Sequence, residues 1–152
     1  MIKKFAVVFV RFIKKINPFP NPSKEEMRTA AETYLKKNTL EGSDRAQNVW
    51  QLSRVKYDAS RWVDGNTFFL AWVVCTDKKM IIAKNSPTFK PWKEIPVSLI
   101  ANKESSLVVL WENEKIEIKI PASAEQYTFF FENETYEAAF TACKRWIATQ
   151  RT

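Results

Sequence analysis

The sequence predicts an α+β domain: a strongly bent antiparallel sheet, or partly open barrel, of six to seven strands, preceded by a helical region and closed by a C-terminal capping helix. Three observations carry this. From residue 67 onward, short β-rich runs follow one another at regular spacing, the pattern of an antiparallel meander. After them, from Asn133 to Ile147, the apolar period changes to that of a helix. Before them, Ser23 and Glu26 form a capping box ahead of a second amphipathic helix.

The 152 residues are 45% hydrophobic, enough for one core without disulfides or metals. Only two glycines and 14% aromatic residues favour bulky, well-packed strands. Of the formal charge of +7, most lies at the front: residues 1–40 hold nine Lys/Arg and three Asp/Glu, the remainder fifteen and fourteen. The body is therefore nearly neutral, and the charge sits on an appendage.

That appendage, residues 1–16, reads MIKKFAVVFVRFIKKI. At 100° per residue, Ile2, Phe5, Ala6, Phe9, Phe12, Ile13 and Ile16 share one helical face, with Lys3, Lys4, Arg11, Lys14 and Lys15 opposite. Val7 breaks the pattern by falling among the lysines. An apolar face backed only by cations suits the plane of an anionic membrane. The alternatives are a helix docked on a partner protein or on the domain's own core, or a buried strand over Phe5 to Val10. A transmembrane span is excluded by the short apolar run and Arg11. The run also lacks a signal-peptide cleavage site, which places the protein in the cytoplasm, at a membrane where the leader attaches. Residues 17–22, Asn-Pro-Phe-Pro-Asn-Pro, read as an extended spacer, leaving 23–152 as a single domain.

Within it, Met27, Ala30, Ala31, Tyr34 and Leu35 make the apolar face of a helix over 24–37. Residues 44–57 fit both a helical and an alternating pattern, with strand favoured from Val49. Asp64-Gly65-Asn66 is a turn signal. The expected strands are Thr67 to Thr76, Lys79 to Ala83, Lys93 to Ile100, Leu107 to Trp111, Lys115 to Ile120 and Gln126 to Phe131. Pro87 and Pro91 are expected in a loop. Ile116, Ile118 and Ile120 alternate with Glu117 and Lys119, one face to the core and one to water. Asn133 is the expected cap of a last helix whose face is Tyr136, Ala139, Phe140, Cys143, Trp146 and Ile147.

The chemistry available is narrow. The chain has no histidine, which removes Ser-His-Asp and Cys-His nucleophiles, His-liganded zinc and the commonest neutral-pH acid/base. Two cysteines, Cys75 and Cys143, cannot make a four-thiolate metal site and read as reduced core residues. Glycines at 42 and 65 alone write neither a P-loop nor a dinucleotide fingerprint. The carboxylates Glu112, Glu114 and Glu117 read as solvated surface. The expectation is a non-catalytic protein with no cofactor and no metal.

A bent antiparallel sheet ending in one amphipathic helix resembles the pleckstrin-homology-like superfold, in its GRAM and bacterial branches, over residues 67–147. The resemblance is carried by Trp72-Val73-Val74-Cys75-Thr76-Asp77-Lys78-Lys79-Met80-Ile81-Ile82, similar to paired strands in which a Thr and a basic residue flank a tight hairpin. It is carried too by Trp92-Lys93-Glu94-Ile95-Pro96-Val97-Ser98-Leu99-Ile100, similar to an x-I-P-x-x-x-I strand, and by the aromatic strand Phe129 to Phe131. The helix at 24–37 departs from the minimal unit and leaves a cone-shaped fold of the nuclear-transport-factor type as the alternative.

The resemblance implies a binding module whose basic residues surround the first hairpin. Here Asp58 to Asn66 holds one cation, Arg61. A rim of Arg54, Lys56, Lys78, Lys79, Lys84, Lys90 and Lys93 is the second possibility. Arg61, Trp62, Phe89, Lys90, Trp92 and Lys93 are the candidate contact surface; Lys3, Lys4, Phe5, Phe9, Arg11, Phe12, Ile13, Lys14 and Lys15 are the candidate attachment residues. The expected role is an adaptor anchored to a membrane surface or scaffold, with a protein or anionic membrane as partner. The alternatives are a structural subunit docked through its N-terminal segment, and a nucleic-acid-binding protein with a basic arm, which the near-neutral body disfavours.

Overall fold

The computed structural model describes residues 22–38, 45–58, 66–101, 108–112, 114–120 and 123–151. The first helix, α1 (Lys24–Asn38), starts where the capping box places it. Ser23 Oγ accepts from the Glu26 amide at 3.1 Å, and Glu26 Oε1 accepts from the Ser23 amide at 3.4 Å. Glu25 and Glu26 in the first turn and Lys36 and Lys37 in the last suit the helix dipole. Met27, Ala31 and Leu35 are fully buried along one face.

The strands are β1 (Asn48–Gln51), β2 (Arg54–Asp58), β3 (Asn66–Phe69), β4 (Trp72–Cys75), β5 (Lys79–Lys84), β6 (Lys90–Pro96), β7 (Val108–Glu112), β8 (Lys115–Ile120) and β9 (Glu125–Phe130). They make two antiparallel sheets, ordered β1-β4-β5-β6 and β3-β2-β9-β8-β7. The ambiguous stretch before residue 58 is strand, but as two segments. The expected single strand from Thr67 to Thr76 is likewise divided.

Both breaks occur at one level of the first hairpin, where it passes from one sheet into the other. The Leu52 amide donates to the Ala71 carbonyl at 3.0 Å, and the Leu70 amide to the Ser53 carbonyl at 2.9 Å. The Ser53 amide and hydroxyl both donate to the Phe130 carbonyl. Leu70 adopts φ 55°, a left-handed conformation that costs a non-glycine residue roughly 1–2 kcal/mol. The corner bonds, with Gln51 Nε2 donating to the Leu70 carbonyl at 3.1 Å, hold it there. Taken through these corners, the strand segments are seven continuous arms, within the expected number. Among the described residues no ladder joins β6 to β7, so the sheets do not close into a barrel.

Three further expectations are corrected. The run from Lys93 to Ile100 is not one strand: β6 ends at Pro96 and α2 (Val97–Ala101) follows. Pro96 has no amide with which to extend the ladder. The Val97 amide then donates to the Lys78 carbonyl at 2.7 Å, and Ile100 is buried in the core. Pro91 lies inside β6 rather than in a loop, which is tolerated because β6 is an edge strand with a bulge: Ile82 pairs with Lys93, but Ala83 pairs with Pro91. Asn133 caps a 3-10 turn, Glu134–Tyr136, through its side chain and the Thr135 amide at 2.9 Å; α3 (Glu137–Gln150) begins only after that turn.

The apolar residues form two clusters. Inside the bent sheets lie Val73, Cys75, Met80, Ile82, Ile116 and Phe129 among others, closed at one end by Cys143, Trp146 and Ile147 of α3. On the outer face of the four-stranded sheet lie Val49, Trp72, Val74, Ile81 and Ala83, covered by α1. Burial on both faces explains why β4 and most of β5 are continuous apolar runs, whereas β8 alternates. The hairpin between β4 and β5 is tightened by Thr76, whose hydroxyl accepts from the Lys78 and Lys79 amides. Cys75 and Cys143 are free and buried. The order of arms and the closing helix agree with the pleckstrin-homology-like arrangement that the sequence resemblance implies. Among the described residues, no helix is long and apolar enough to cross a membrane.

Candidate functional site

At the end of the sheets away from α3, residues from four strands converge. Tyr57 on β2 stands directly opposite Tyr127 on β9, with ring centroids 5.1 Å apart. Phe68 points inward from β3, while its neighbour Phe69 points outward and is 70% exposed. Trp92 of β6 closes the group: 4.4 Å from Phe68, 4.8 Å and edge-on to Tyr57, and 6.5 Å from Tyr127. Each such pair contributes about 0.5–1.5 kcal/mol beyond the area it buries. The β6 bulge matters here, because a bulge re-aims side chains at a sheet edge. Trp92 and Lys93, consecutive in sequence, both reach the Tyr57 ring.

Two lysines border the cluster. Lys93 Nζ lies 4.9 Å over the Tyr57 ring and 5.8 Å over Trp92. Lys84 Nζ lies 5.1 Å over Phe68. A cation over an aromatic face gains about 0.5–1 kcal/mol at an exposed site. Its ammonium has three donors, so ring contact leaves N–H groups for an anion.

Tyr127 and the two buried thiols of the core are held in their neutral forms. The Tyr127 hydroxyl donates to Glu125 Oε2 at 2.8 Å, and burial first, then that carboxylate, push its pKa well above the phenol range. Burial pushes the Cys143 thiol up to about 12. Cys75 is also pushed up, by burial and then by Cys143. Neither thiol has the exposure or thiolate character of a nucleophile. Among the described residues, no group of three or more Cys, Asp or Glu could hold a metal ion. What this end presents is two ammonium groups over rings that are themselves largely buried, Tyr127 at 2% and Tyr57 at 8% exposure.

Of the residues the sequence singles out, Trp92 and Lys93 belong to this cluster. Phe89 does not: it packs in the outer cluster, 5.1 Å from Tyr34, on the opposite side of the sheet. Lys90 is exposed on β6, in register with Lys84. Lys3, Lys4, Phe5, Phe9, Arg11, Phe12, Ile13, Lys14, Lys15, Arg61 and Trp62 lie outside the described residues. The wider basic rim is dispersed. Arg54 forks onto Glu132 and covers Phe130, Lys79 pairs with Glu94 at 3.3 Å, and Lys56 lies 3.9 Å from Asp58. Sequence reasoning missed Tyr57, Phe68 and Tyr127 as site residues; their meeting depends on the β2–β3 and β2–β9 registers.

No protein-family model and no curated protein matches the chain. Among solved structures, it is similar to a chain of Vav1 inhibited by an allosteric inhibitor, with TM-score 0.48, 12% identity, and coverage of 81% of this chain and 32% of that one. It is also similar to the apo activated truncation of Vav1, with TM-score 0.46, 11% identity, and coverage of 84% and 32%. This chain therefore spans about a third of either. Likeness at this level carries no conclusion about function.

Proposed function

We propose that the chain is a non-catalytic binding module that attaches to an anionic membrane surface through residues 1–16 and the aromatic–lysine mouth. The observation that supports this reading is the placement of Lys84 and Lys93 over Phe68, Tyr57 and Trp92 at the end of the sheets away from α3. Aromatic rings and ammonium groups side by side suit a headgroup layer, where apolar bodies and anionic oxygens are found together. The buried, neutral thiols and tyrosine give no catalytic group to set against it. Anionic lipid is concentrated on the cytoplasmic leaflet, so the proposed location is cytoplasmic and peripheral to the membrane.

Each surface-proximal cation contributes about 1 kcal/mol on an anionic bilayer, so removing two costs about 2 kcal/mol, or roughly thirtyfold in affinity. The test is co-sedimentation with phosphatidylserine-containing and purely zwitterionic vesicles. The full chain should bind the former, the double variant Lys84→Glu/Lys93→Glu at least thirtyfold more weakly, and a chain lacking residues 1–16 more weakly still. Equal, weak binding of the full and shortened chains would end the attachment reading. Binding to a nucleic acid with steep salt dependence, and not to vesicles, would favour the basic-arm alternative.

A further inference from the structure

The last helix has two faces, and the core accounts for only one. Cys143, Trp146 and Ile147 are buried under the sheets, while Glu137, Ala138, Thr141 and Arg145 are exposed. With Glu134 of the preceding 3-10 turn and the half-buried Ala148, the outward residues 134, 138, 141, 145 and 148 recur at intervals of four and three. That is the spacing of a seam between two helices. The side chains at 138, 141 and 148 are short, so a second backbone can come close. A shallow hollow of about 490 Å³ lies along this face between Glu134, Glu137 and Arg145. A second hollow adjoins it at Ala138 and Ala142, with Lys24 of α1 on its rim.

The charges of the face are not answered within the chain. Glu134 and Glu137 stand at the start of the helix, where its dipole favours them. Arg145 has no such role, because it precedes the last turn, which contains no base. The residues three and four positions from it are Thr141, Ala142, Ala148 and Thr149, so no carboxylate of its own helix is in reach. Among the described residues, no salt bridge involves Glu134, Glu137 or Arg145. Lys144 leans to the side, 5.9 Å over the Phe140 ring.

A second α3 laid antiparallel on this face answers both the spacing and the charge. With the two-fold axis between residues 139 and 140, Ala138 of each copy faces Thr141 of the other, and Arg145 faces Glu134. Those two charges lie roughly 16 Å apart along the helix, so two ion pairs flank a centre of short side chains. A parallel pair in register would instead set Arg145 on Arg145 and Glu134 on Glu134. We propose that the exposed face of α3 is a contact between two copies of this chain, paired antiparallel, with Arg145 of each on Glu134 of the other. One helix pair is at the small end of protein interfaces, so the association is weak, with half of the chains paired at roughly 0.1 mM.

The experiment is sedimentation equilibrium of the full chain from about 10 μM to about 1 mM at low ionic strength, where ion pairs are least screened. The mass should rise from that of one chain toward that of two. Arg145→Glu and Glu134→Lys each set like charges together at both contacts and should raise the concentration of half-association roughly tenfold or more. Mixed in equal amounts, the two variants set opposite charges together at both contacts again, and pairing should return. Both positions are exposed, so the urea midpoints should match that of the unmodified chain; if either reversal fails to fold, glutamine at the same position replaces it and should weaken pairing in the same direction. The mass of one chain at every concentration would overturn the proposal. So would pairing that either reversal leaves unchanged, which would place the contact elsewhere, and so would a mixture that stays unpaired. None of these measurements involves a lipid, so their failure leaves the membrane reading where it stands.

Discussion

Truncating Leu35 to alanine tests the most consequential feature of the architecture, the helix on the outer face of the four-stranded sheet. Leu35 is fully buried, one turn beyond Ala31 and two beyond Met27, against Val49, Trp72, Val74, Ile81 and Ala83. Burying a leucine side chain contributes about 1.5–3 kcal/mol, and the cavity left by its removal raises the loss to roughly 2–5 kcal/mol. The helix lies at the surface and can settle inward, so the expected loss is about 3 kcal/mol. With a urea dependence of about 2 kcal/mol per molar, the midpoint should fall by roughly 1.5 M, with an unchanged slope. A domain of ordinary stability survives this and remains measurable. Thr33→Ala, on the exposed face of the same helix, should stay within about 0.5 kcal/mol of the parent. A loss under about 1 kcal/mol for Leu35→Ala, or equal losses for both variants, would refute the docking of α1 and with it the two-sided burial of β4 and β5.

Two further outcomes follow from backbone conformation and burial. Ala124 is exposed at φ 57°, so Ala124→Gly relieves a left-handed alanine at no packing cost and should raise stability by roughly 0.5 kcal/mol once the entropy of the unfolded glycine is counted; a lower melting temperature would contradict the turn geometry. Cys143 is raised from 9.0 to about 12 in the folded state, so its contribution is fully present below pH 9 and is lost as pH rises toward 12, at about 1.4 kcal/mol per pH unit. Urea titrations at several pH values in that window should show a shallower decline in Cys143→Ala than in the parent, and identical slopes would mean that the thiol is not buried as described.

Local pattern was enough to locate the elements whose determinants are local. The capping box set the start of α1, and Met27, Ala31 and Leu35 announced its buried face. The last helix was legible from Cys143, Trp146 and Ile147, and β8 from its isoleucines. Such features depend on residues a few positions apart, and the period of the apolar side chains records which face will be covered.

Tertiary pairing decided the remainder. Nothing near Leu52 or Leu70 in the chain marks a corner, because the corner exists only through bonds to Ala71, Ser53 and Phe130 contributed from elsewhere. Pro91 could remain in a strand because, among the described residues, β6 pairs along one edge only, and Val97 turned into a helix only once Pro96 had ended the ladder and the Lys78 carbonyl had captured its amide. The mouth shows the same division. Composition alone showed that the chain is rich in aromatics and lysines and has no histidine. That Tyr57, Phe68, Trp92 and Tyr127 meet, with Lys84 and Lys93 over them, was decided by the registers of four strands and one bulge, since a slip of a single residue would send each ring to the opposite face.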